Sequence, residues 1–419
     1  MKFMKIRKNI FYAQSGGVTS VINATASGII HAYFKNKKYF GKFYAGKNGI
    51  IGALNEELID ISKEDIKQIN LLKYTPGGAF GSCRLKLKSS KEYKRILDVF
   101  KAHNIGYFFY NGGGDSQDTT HKLSEYCKQQ NYNLICIGLP KTIDNDLAMT
   151  DNCPGYGSVA KYIAVSTYEA SLDIQSMCQS STKVFILEVM GRHAGWLAAS
   201  AGILKSNKKD APHIILFPER KFIKENFLNE VKKIVNQNGY CVIVASEGIK
   251  NNKNQFISDS GTKDSFGHSQ LGGVAPVLAN LINQSLKYKV HWSVADYLQR
   301  AARHISSKVD VQQAYALGTE SIKYAKMGKS GIMLTIDSKK SKKYSWSIGY
   351  TKLENVANKE KILSKKFIST NGYGITQACK KYILNLISGE DYPEYKNGLP
   401  IYCKLKKTLI RKKLKKFKI

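Results

Sequence analysis

Short apolar segments alternate along this chain with longer stretches in which apolar residues recur every three or four positions. The short segments have the length and the β-branched content of buried strands, and the longer ones have the period of amphipathic helices. The predicted strands are residues 10–13, 106–110, 134–138, 184–189, 213–217, 241–246 and 331–336, and the predicted helices include residues 18–31, 118–130, 158–176 and 224–236. Strands and helices that alternate in this way indicate parallel α/β architecture.

Gly-rich or acidic turns follow several of the predicted strands. They are Ser15-Gly16-Gly17, residues 112–115, residues 140–146, Met190-Gly191-Arg192 and Glu247-Gly248. Ligands of open α/β sheets bind at the carboxyl ends of the strands, where such turns lie side by side. We therefore expect these turns to surround a common site.

The composition is that of a globular protein with a large core. The chain has 419 residues, of which 43% are hydrophobic and 23% are charged, and this excludes a disordered chain and a small disulfide scaffold. No apolar run reaches the ~18 residues of a membrane helix. The eight cysteines are scattered singly without a CxxC pair, a pattern that fits reduced thiols and a cytoplasmic location.

The net charge of +33 raises the question of a polyanionic partner, because such a charge is typical of proteins that bind nucleic acids or anionic membranes. Only 8 of the 65 basic residues are Arg, a bias expected of an AT-rich genome. Compositional drift over solvated faces and a dedicated polyanion site both account for the charge. Because the sequence contains no nucleic-acid motif, we expect neither a nucleic acid nor a membrane as partner.

The last segment, residues 404–419, is the one low-complexity piece, with nine Lys or Arg and no acidic residue. Five of its apolar side chains fall near helical spacing: Leu405, Leu409, Ile410, Leu414 and Phe417. This spacing predicts a solvated helix that covers a small apolar patch. A contact with a membrane or a polyanion is the alternative interpretation.

The densest chemical cluster is residues 140–146, which follow a predicted strand. Asp144 and Asp146 lie two residues apart, so one carboxylate can act as a general base and the other can lie near a metal ion. Lys141 and Thr142 can hold the oxygens of a transferred phosphoryl group. A turn stabilised by its own Asx side chains is the alternative.

Other loops add groups that bind phosphate. The glycines of Ser15-Gly16-Gly17 allow backbone N–H groups to approach phosphate oxygens, although a plain tight turn explains them equally. Asp115 follows three glycines and suits a magnesium–phosphate group. Arg84, Arg192 and Arg300 stand in loop-like contexts of a chain that favours Lys, and a guanidinium grips phosphate with two hydrogen bonds.

In their order and spacing, these elements resemble the phosphofructokinase family over nearly all of residues 8–336, and the pyrophosphate-dependent branch most closely. The resemblance is carried by Ser15-Gly16-Gly17 with residues 21–24, residues 81–84, residues 140–146, residues 188–192 with 194–196, residues 246–248, and residues 266–268 with 271–273. It implies two doubly wound, Rossmann-like α/β lobes with the active site in the cleft between them.

The family resemblance also implies how the chain divides between the lobes. Residues 1–155 and about 298–370 would form the lobe that binds the phosphoryl donor, and residues 156–297 and about 371–403 the lobe that binds fructose 6-phosphate. Residues 404–419 would be a basic tail. The chain would cross between the lobes near residues 155 and 297, and again in its C-terminal part.

The implied reaction moves a phosphoryl group from pyrophosphate to the 1-hydroxyl of fructose 6-phosphate, with Mg²⁺ as cofactor. Asp144 would be the general base and Asp146 would lie near Mg²⁺. Gly17 would cradle the donor with its backbone. Arg84 and Lys141 would stabilise the charge of the moving phosphoryl group, since phosphoryl transfer depends on positioning and charge placement.

A second group of residues matches the positions that hold fructose 6-phosphate in the family. They are Met190, Gly191, Arg192, Glu247, Tyr297 and Arg300. Lys183 and His291 fall where family members reach across a subunit interface to the sugar phosphate. The resemblance therefore implies a homodimer or a homotetramer.

The choice of donor rests on two positions. Members that use ATP typically carry Gly where this chain has Asp115, and a carboxylate there would repel the nucleotide α-phosphate. Lys141 is the second such position, because its cation suits the compact charge of pyrophosphate. An ATP-dependent kinase is the alternative within the same class.

Three departures from the family pattern bear on activity. Gly114 stands where Asp or Asn is usual, His291 where Arg is usual, and Asp296 where Gly is usual. The imidazole offers fewer donors than a guanidinium. These changes are compatible with a working but diverged enzyme, and also with a catalytically weak paralogue that serves as a regulatory subunit.

Overall fold

The computed structural model describes residues 7–207, 209–263, 269–339 and 343–417. The helices are α1 Ile22–Lys35, α2 Ile50–Leu54, α3 Ile66–Leu72, α4 Ser90–Ala102, α5 Gly114–Gln129, α6 Tyr156–Met177, α7 Trp196–Ser200, α8 Lys224–Asn238, α9 Val274–Leu286, α10 Asp296–Ala301, α11 Lys308–Lys326 and α12 Gln377–Leu386. The strands are β1 Asn9–Gln14, β2 Phe43–Gly46, β3 Leu58–Asp60, β4 Ile105–Gly112, β5 Ile135–Pro140, β6 Val184–Val189, β7 Ile214–Leu216, β8 Cys241–Ser246, β9 Asp259–Lys263, β10 Ser269–Leu271, β11 Val290–Val294, β12 Ile332–Ser338, β13 Trp346–Lys352, β14 Tyr395–Lys396 and β15 Leu399–Pro400.

Seven strands form the first sheet, in the order β13-β12-β5-β4-β1-β2-β3. The five inner strands run parallel, as the buried apolar sequences of β1, β4, β5 and β12 predict, whereas β2 was not predicted. The two edge strands β3 and β13 run antiparallel to their neighbours and were not predicted. β13 is only half-buried and β3 has three residues, so neither carries the long apolar run that marks a central strand.

Helices cover both faces of this sheet. Successive side chains of a strand point to opposite faces, and those of β1 enter two different buried clusters. Ile10 and Tyr12 belong to one cluster, and Phe11 and Ala13 belong to the other. The first sheet is therefore doubly wound, as predicted.

The second sheet has four parallel strands in the order β11-β6-β8-β7. It is covered on both faces as well, since Ile243 and Val244 of β8 also enter different clusters. β11 is an edge strand on which four of five residues are exposed, Trp292 and Val294 among them. Two small antiparallel pairs, β9-β10 and β14-β15, complete the strands.

The C-terminal part of the chain packs against both sheets. Helix α11 packs so closely on α1 that a Cβ at Gly28 would lie 2.2 Å from the carbonyl oxygen of Tyr315, and β12 and β13 extend the first sheet. Helix α12 instead belongs to the cluster that includes α6 and α7. The residue boundaries of the two lobes stay a prediction.

The basic tail is not a helix, so that prediction was wrong. Residues 403–417 contain no helix, and residues 408–410 pair with β3, where Ile410 N donates to the carbonyl oxygen of Leu58 at 2.9 Å. Glu56, fully buried, accepts from the backbone N–H groups of Lys413 (2.6 Å) and Leu414 (3.0 Å). The apolar side chains of the tail do cover an apolar surface, because Ile410, Leu414 and Phe417 pack against a buried cluster. The backbone of the tail is held by Glu56 and β3 rather than by helical hydrogen bonds, so these side chains reach the apolar surface without a helix.

Candidate active site

The loop after β5 holds its acidic residues by a local turn. Thr142 Oγ1 accepts from the backbone N–H of Asp144 at 3.0 Å and lies 3.2 Å from Asp144 Oδ2. Asn145 adopts a left-handed backbone conformation, with φ of 54°, which Asn tolerates better than most residues. The loop is therefore stabilised by its own side chains, and the same loop also carries the two carboxylates.

Lys141 joins this loop to the loop after β1. Its Nζ donates to the carbonyl oxygen of Gly17 at 2.6 Å, and its side chain is only 4% exposed. Burial lowers the pKa of Lys141 to about 8, although the carboxylates of Asp144 and Asp146 favour its charged form. A buried ammonium with a lowered pKa is a charge that lacks sufficient counter-charge, and a bound anion would supply it.

Two guanidinium groups lie over Gly17. A Cβ built at Gly17 would lie 2.8 Å from Arg300 Nη1 and 3.5 Å from Arg84 Nη2. A Cβ at this position would push aside the ends of these two arginine side chains, so glycine allows them to lie close to the backbone. Arg300 also stacks on the ring of Tyr297, with its guanidinium carbon 3.7 Å from the ring centroid. With Lys141, three cations surround one backbone loop.

The two carboxylates are both half-buried, and each has a raised pKa. Burial raises the pKa of Asp144, and the hydrogen bond from Thr142 and the charge of Lys141 only partly offset it. Burial and repulsion by Asp144 raise the pKa of Asp146 to about 7. Among the residues that the structure describes, Asp146 Oδ1 is buried without a hydrogen-bond partner. An orphaned carboxylate oxygen of this kind is suited to a cation or to a proton.

Charged groups of the second sheet approach the same carboxylates. Glu247, after β8, accepts from the backbone N–H of Gly191 at 3.2 Å. Burial raises the pKa of Glu247 to about 7, repulsion by Asp144 adds to this, and Arg192 opposes it. Met190 follows β6, and its N–H lies 3.3 Å from Gln299 Oε1 of α10. The carboxyl ends of both sheets therefore meet at one cleft.

Asp115 lies in the first turn of α5 and forms an ion pair with Lys86, with Nζ 3.1 Å from Oδ1. A Cβ at the preceding Gly114 would meet no atom within 4 Å. Packing therefore does not require glycine at 114. Its presence instead of the usual Asp or Asn leaves room beside Asp115.

Lys183 and His291 do not join this cluster. Lys183 precedes β6, at the opposite end of the strand from Met190, and its ammonium donates to the backbone oxygens of Cys178 and Gln179. His291 is exposed on the edge strand β11. In this chain both lie near the strand ends opposite Met190, since His291 pairs with Phe185 at the start of β6. His268, from the Phe266-Gly267-His268 motif, lies outside the described residues.

The C-terminal part also contacts the loop of residues 140–147, the candidate catalytic loop, and the sequence did not indicate these contacts. Lys361 N donates to the carbonyl oxygen of Asp146 at 2.6 Å, and Asn145 Nδ2 donates to Tyr382 Oη at 2.8 Å. Glu360 pairs with Leu147 in an antiparallel bridge. These contacts join residues more than 200 positions apart, and no local motif marks residues 360–382.

Among the described residues, no group of three or more His, Cys, Asp or Glu side chains could hold a metal ion by itself. Mg²⁺ commonly binds one or two carboxylates and takes its other ligands from water and substrate phosphates. Within the same residues, no helix has the length and apolar content that a membrane span needs.

Comparisons with known proteins agree with this geometry. The family model described as "Phosphofructokinase" matches residues 9–325. The chain is 53% identical to the pyrophosphate–fructose 6-phosphate 1-phosphotransferase of Halomonas elongata, over 98% of this chain and 99% of that one, and 52% identical to that of Methylococcus capsulatus, over 97% and 98%. It also matches the crystal structure of a pyrophosphate-dependent phosphofructokinase from Marinobacter aquaeolei with a TM-score of 0.91 and 55% identity, covering 98% of this chain and 100% of that one.

Proposed function

This chain belongs to the phosphofructokinase family, and from that premise we propose that it transfers a phosphoryl group from pyrophosphate to the 1-hydroxyl of fructose 6-phosphate. The products are fructose 1,6-bisphosphate and phosphate. The relatives that match it over nearly its whole length carry this activity in their names.

One observation carries the mechanism: Arg84, Arg300 and Lys141 converge on the backbone of Gly17, beside the carboxylate pair. A phosphoryl group bound at Gly17 would be surrounded by positive charge. Such fixed charges stabilise a phosphoryl-transfer transition state because they need no rearrangement as charge develops.

Asp144 is the proposed general base. It accepts the proton of the sugar 1-hydroxyl while the hydroxyl oxygen attacks the phosphorus atom. Its raised pKa brings it closer to neutral pH, where proton transfer by a carboxylate is most effective. Thr142 fixes the orientation of this carboxylate through its hydroxyl group.

Mg²⁺ is the proposed cofactor. The unpartnered Oδ1 of Asp146 fits such a hard cation, and pyrophosphate oxygens would complete its ligands. Asp115 is the second candidate ligand, although its Oδ1 pairs with Lys86. The ion would neutralise charge on the donor oxygens, whereas the proton transfer remains with Asp144.

Fructose 6-phosphate is proposed to bind on the side of the cleft formed by the second sheet. Glu247 accepts the N–H of Gly191 and is placed to accept a sugar hydroxyl. Arg192 and Arg300 supply guanidinium groups for the phosphate, and Met190 and Tyr297 line the same side.

The assembly is proposed to be a homo-oligomer formed through β11. This exposed edge strand is a template for pairing, and it carries Trp292, which is 48% exposed. Lys183 and His291, which lie near the strand ends opposite Met190, would then serve a neighbouring cleft. Trp292→Glu should separate the subunits and raise KM for fructose 6-phosphate, measured by light scattering and kinetics. Tyr395→Glu, at an exposed tyrosine on β14, is the matched control.

We propose, from membership of the family, that the chain crosses between the two lobes near residues 155 and 297. We also propose that the protein works in the cytoplasm. Each of the eight cysteines is a free thiol, and seven of them are buried, which fits a reducing compartment.

The decisive experiment measures fructose 1,6-bisphosphate formation by purified protein with Mg²⁺ and either pyrophosphate or ATP. Turnover with pyrophosphate is expected, with loss of about 10²–10⁴ in kcat on Asp144→Ser. Asp98→Ser, at a half-buried carboxylate of α4, should remain active. Near-normal turnover of the Asp144 variant would refute the assignment of the base.

A paired set of variants tests the choice of donor. Asp115→Gly should improve kcat/KM for ATP, because it removes a carboxylate that repels the nucleotide. Lys86→Met removes the ion-pair partner of Asp115 without removing that carboxylate, and it should not improve ATP use. Turnover of the unaltered protein with ATP alone would favour the ATP-dependent kinase. Folded protein without turnover on either donor would favour the regulatory subunit.

A further inference from the structure

The contacts of residues 360–363 assign a role to a segment outside the recognised motifs. We call these residues the bridging segment. On one side, Lys361 N donates to the carbonyl oxygen of Asp146 at 2.6 Å. On the other side, the carbonyl oxygen of Lys361 accepts from Trp196 Nε1 at 3.0 Å. The segment therefore links the catalytic loop directly to the start of α7.

Glu219 extends this link. Its Oε1 accepts from the backbone N–H of Leu363 at 3.0 Å and from that of Gly195 at 2.8 Å. Gly195 stands directly before α7, three residues after Arg192. The bridging segment thus contacts the loop that holds the carboxylate pair directly, and it is linked through Glu219 and Trp196 to the end of the loop that holds Arg192.

The ammonium group of Lys361 is enclosed by the end of the catalytic loop. Its Nζ donates to the carbonyl oxygens of Thr150 (3.0 Å) and Asp151 (2.9 Å), and it lies 3.5 Å from Asn145 Oδ1. These are neutral oxygens, and burial lowers the pKa of Lys361. A lysine held in this way organises carbonyl groups rather than forming a simple surface ion pair.

Tyr382 of α12 holds the same two points. Its hydroxyl accepts from Asn145 Nδ2 at 2.8 Å and donates to the carbonyl oxygen of Asp151 at 2.7 Å. Asn145 stands between the two carboxylates and has a left-handed backbone, so its side-chain contacts determine where both neighbours lie. Lys361 and Tyr382 therefore clamp one loop from two different elements.

We propose that Lys361 is a positioning residue: its ammonium group and backbone fix the loop that carries Asp144 and Asp146 relative to the loop that carries Arg192. Lys361 itself does not touch the reacting atoms. This inference rests on the proposed function, since it concerns the same transfer. A carboxylate displaced by about 1 Å can lose about 10²-fold in rate even when both substrates still bind.

The test compares Lys361→Met with Lys205→Met. Lys205 is also a partly buried lysine, and its Nζ donates to the carbonyl oxygen of Pro212. Pro212 precedes β7, so this contact lies at the end of that strand away from the cleft. Lys361→Met should lower kcat about 10- to 100-fold with KM for fructose 6-phosphate changed less than about twofold. Lys205→Met should keep kcat and lose a similar amount of thermal stability.

Tyr382→Phe provides a milder variant that removes only the hydroxyl group. It should also lower kcat, and the double variant Lys361→Met/Tyr382→Phe should lose less than the product of the two single losses, because both residues fix the same loop. A KM effect without a kcat effect, or a kcat equal to that of Lys205→Met, would overturn the inference. Failure of the proposed function is distinguishable, because the unaltered protein would then be inactive as well.

Discussion

Lys141 allows a quantitative prediction, because its charge is buried at a cost to stability. The pKa of this side chain falls from 10.5, its ordinary value, to about 8, chiefly through burial. At about 1.4 kcal/mol for each pKa unit, the charged form costs the folded protein about 3 kcal/mol relative to the neutral form. Lys141→Met keeps most of the aliphatic chain and removes that charge.

The sign follows from proton linkage. Because the folded pKa is lower than the unfolded one, the unfolded protein binds more protons between pH 8 and pH 10.5. The unaltered protein therefore regains about 3 kcal/mol from this group as the pH rises through that window. The variant lacks the group, so its advantage in stability is largest below pH 8 and disappears near pH 10.5.

The assay is thermal unfolding of ligand-free protein at pH 7 and near pH 10.5, together with kcat at pH 7. Lys141→Met should raise Tm by about 3 °C at pH 7, since the unfolding entropy of a 419-residue chain gives about 1 °C for each kcal/mol. It should lower kcat about 10²–10³-fold, as the loss of one preorganised charge does elsewhere. Lys88→Met, at an exposed lysine, serves as control. A stability difference that is equal at the two pH values would refute the reasoning.

Three further variants test other parts of the structure. Glu56→Ala leaves buried donors without an acceptor, so it should lower the free energy of unfolding by about 3–5 kcal/mol and expose the tail to trypsin. Unchanged proteolysis of the tail would contradict the role of the hydrogen bond between Lys413 and Glu56. Burial alone would raise the pKa of Glu56, but the N–H groups of Lys413 and Leu414 and the partner His103 outweigh burial and lower this pKa. The stability that ionised Glu56 contributes is therefore present above pH 4.5 and lost as the pH falls further. Measurement of Tm during an acid titration would detect this loss. Asp296→Gly relieves a φ of 35° and should stabilise by about 1 kcal/mol in denaturant unfolding. Gly17→Ala should lower kcat at least about tenfold with little change in Tm, since it displaces only the ends of flexible arginines; equal kcat would show that those arginines do not act at Gly17.

The predicted strands and helices were found where a long apolar period marks them, as in α6 and β8. Their ends were less accurate: the helix predicted at residues 118–130 runs from Gly114 to Gln129. Its first turn contains glycine, Asp and Ser, which have low helix propensity, so the sequence pattern did not mark this turn as helical. The prediction of a helix in the tail was wrong because the same apolar spacing suits a helix and also a non-helical segment that packs beside β3.

The sequence alone determined the α/β class, because short apolar strands and amphipathic helices alternate along it, and the family resemblance implied the doubly wound lobes. The sequence also placed the turns after parallel strands at one edge of a sheet, and the residues of the cleft are proposed on that ground. It also identified the two carboxylates and the loop arginines by their chemistry. Only the tertiary structure decided that Arg84 and Arg300 lie over Gly17, that Lys141 is a buried charge, and that the bridging segment clamps the catalytic loop. These facts depend on contacts between residues far apart in the chain, where the distance between side chains is set by the packing of whole elements rather than by any local pattern.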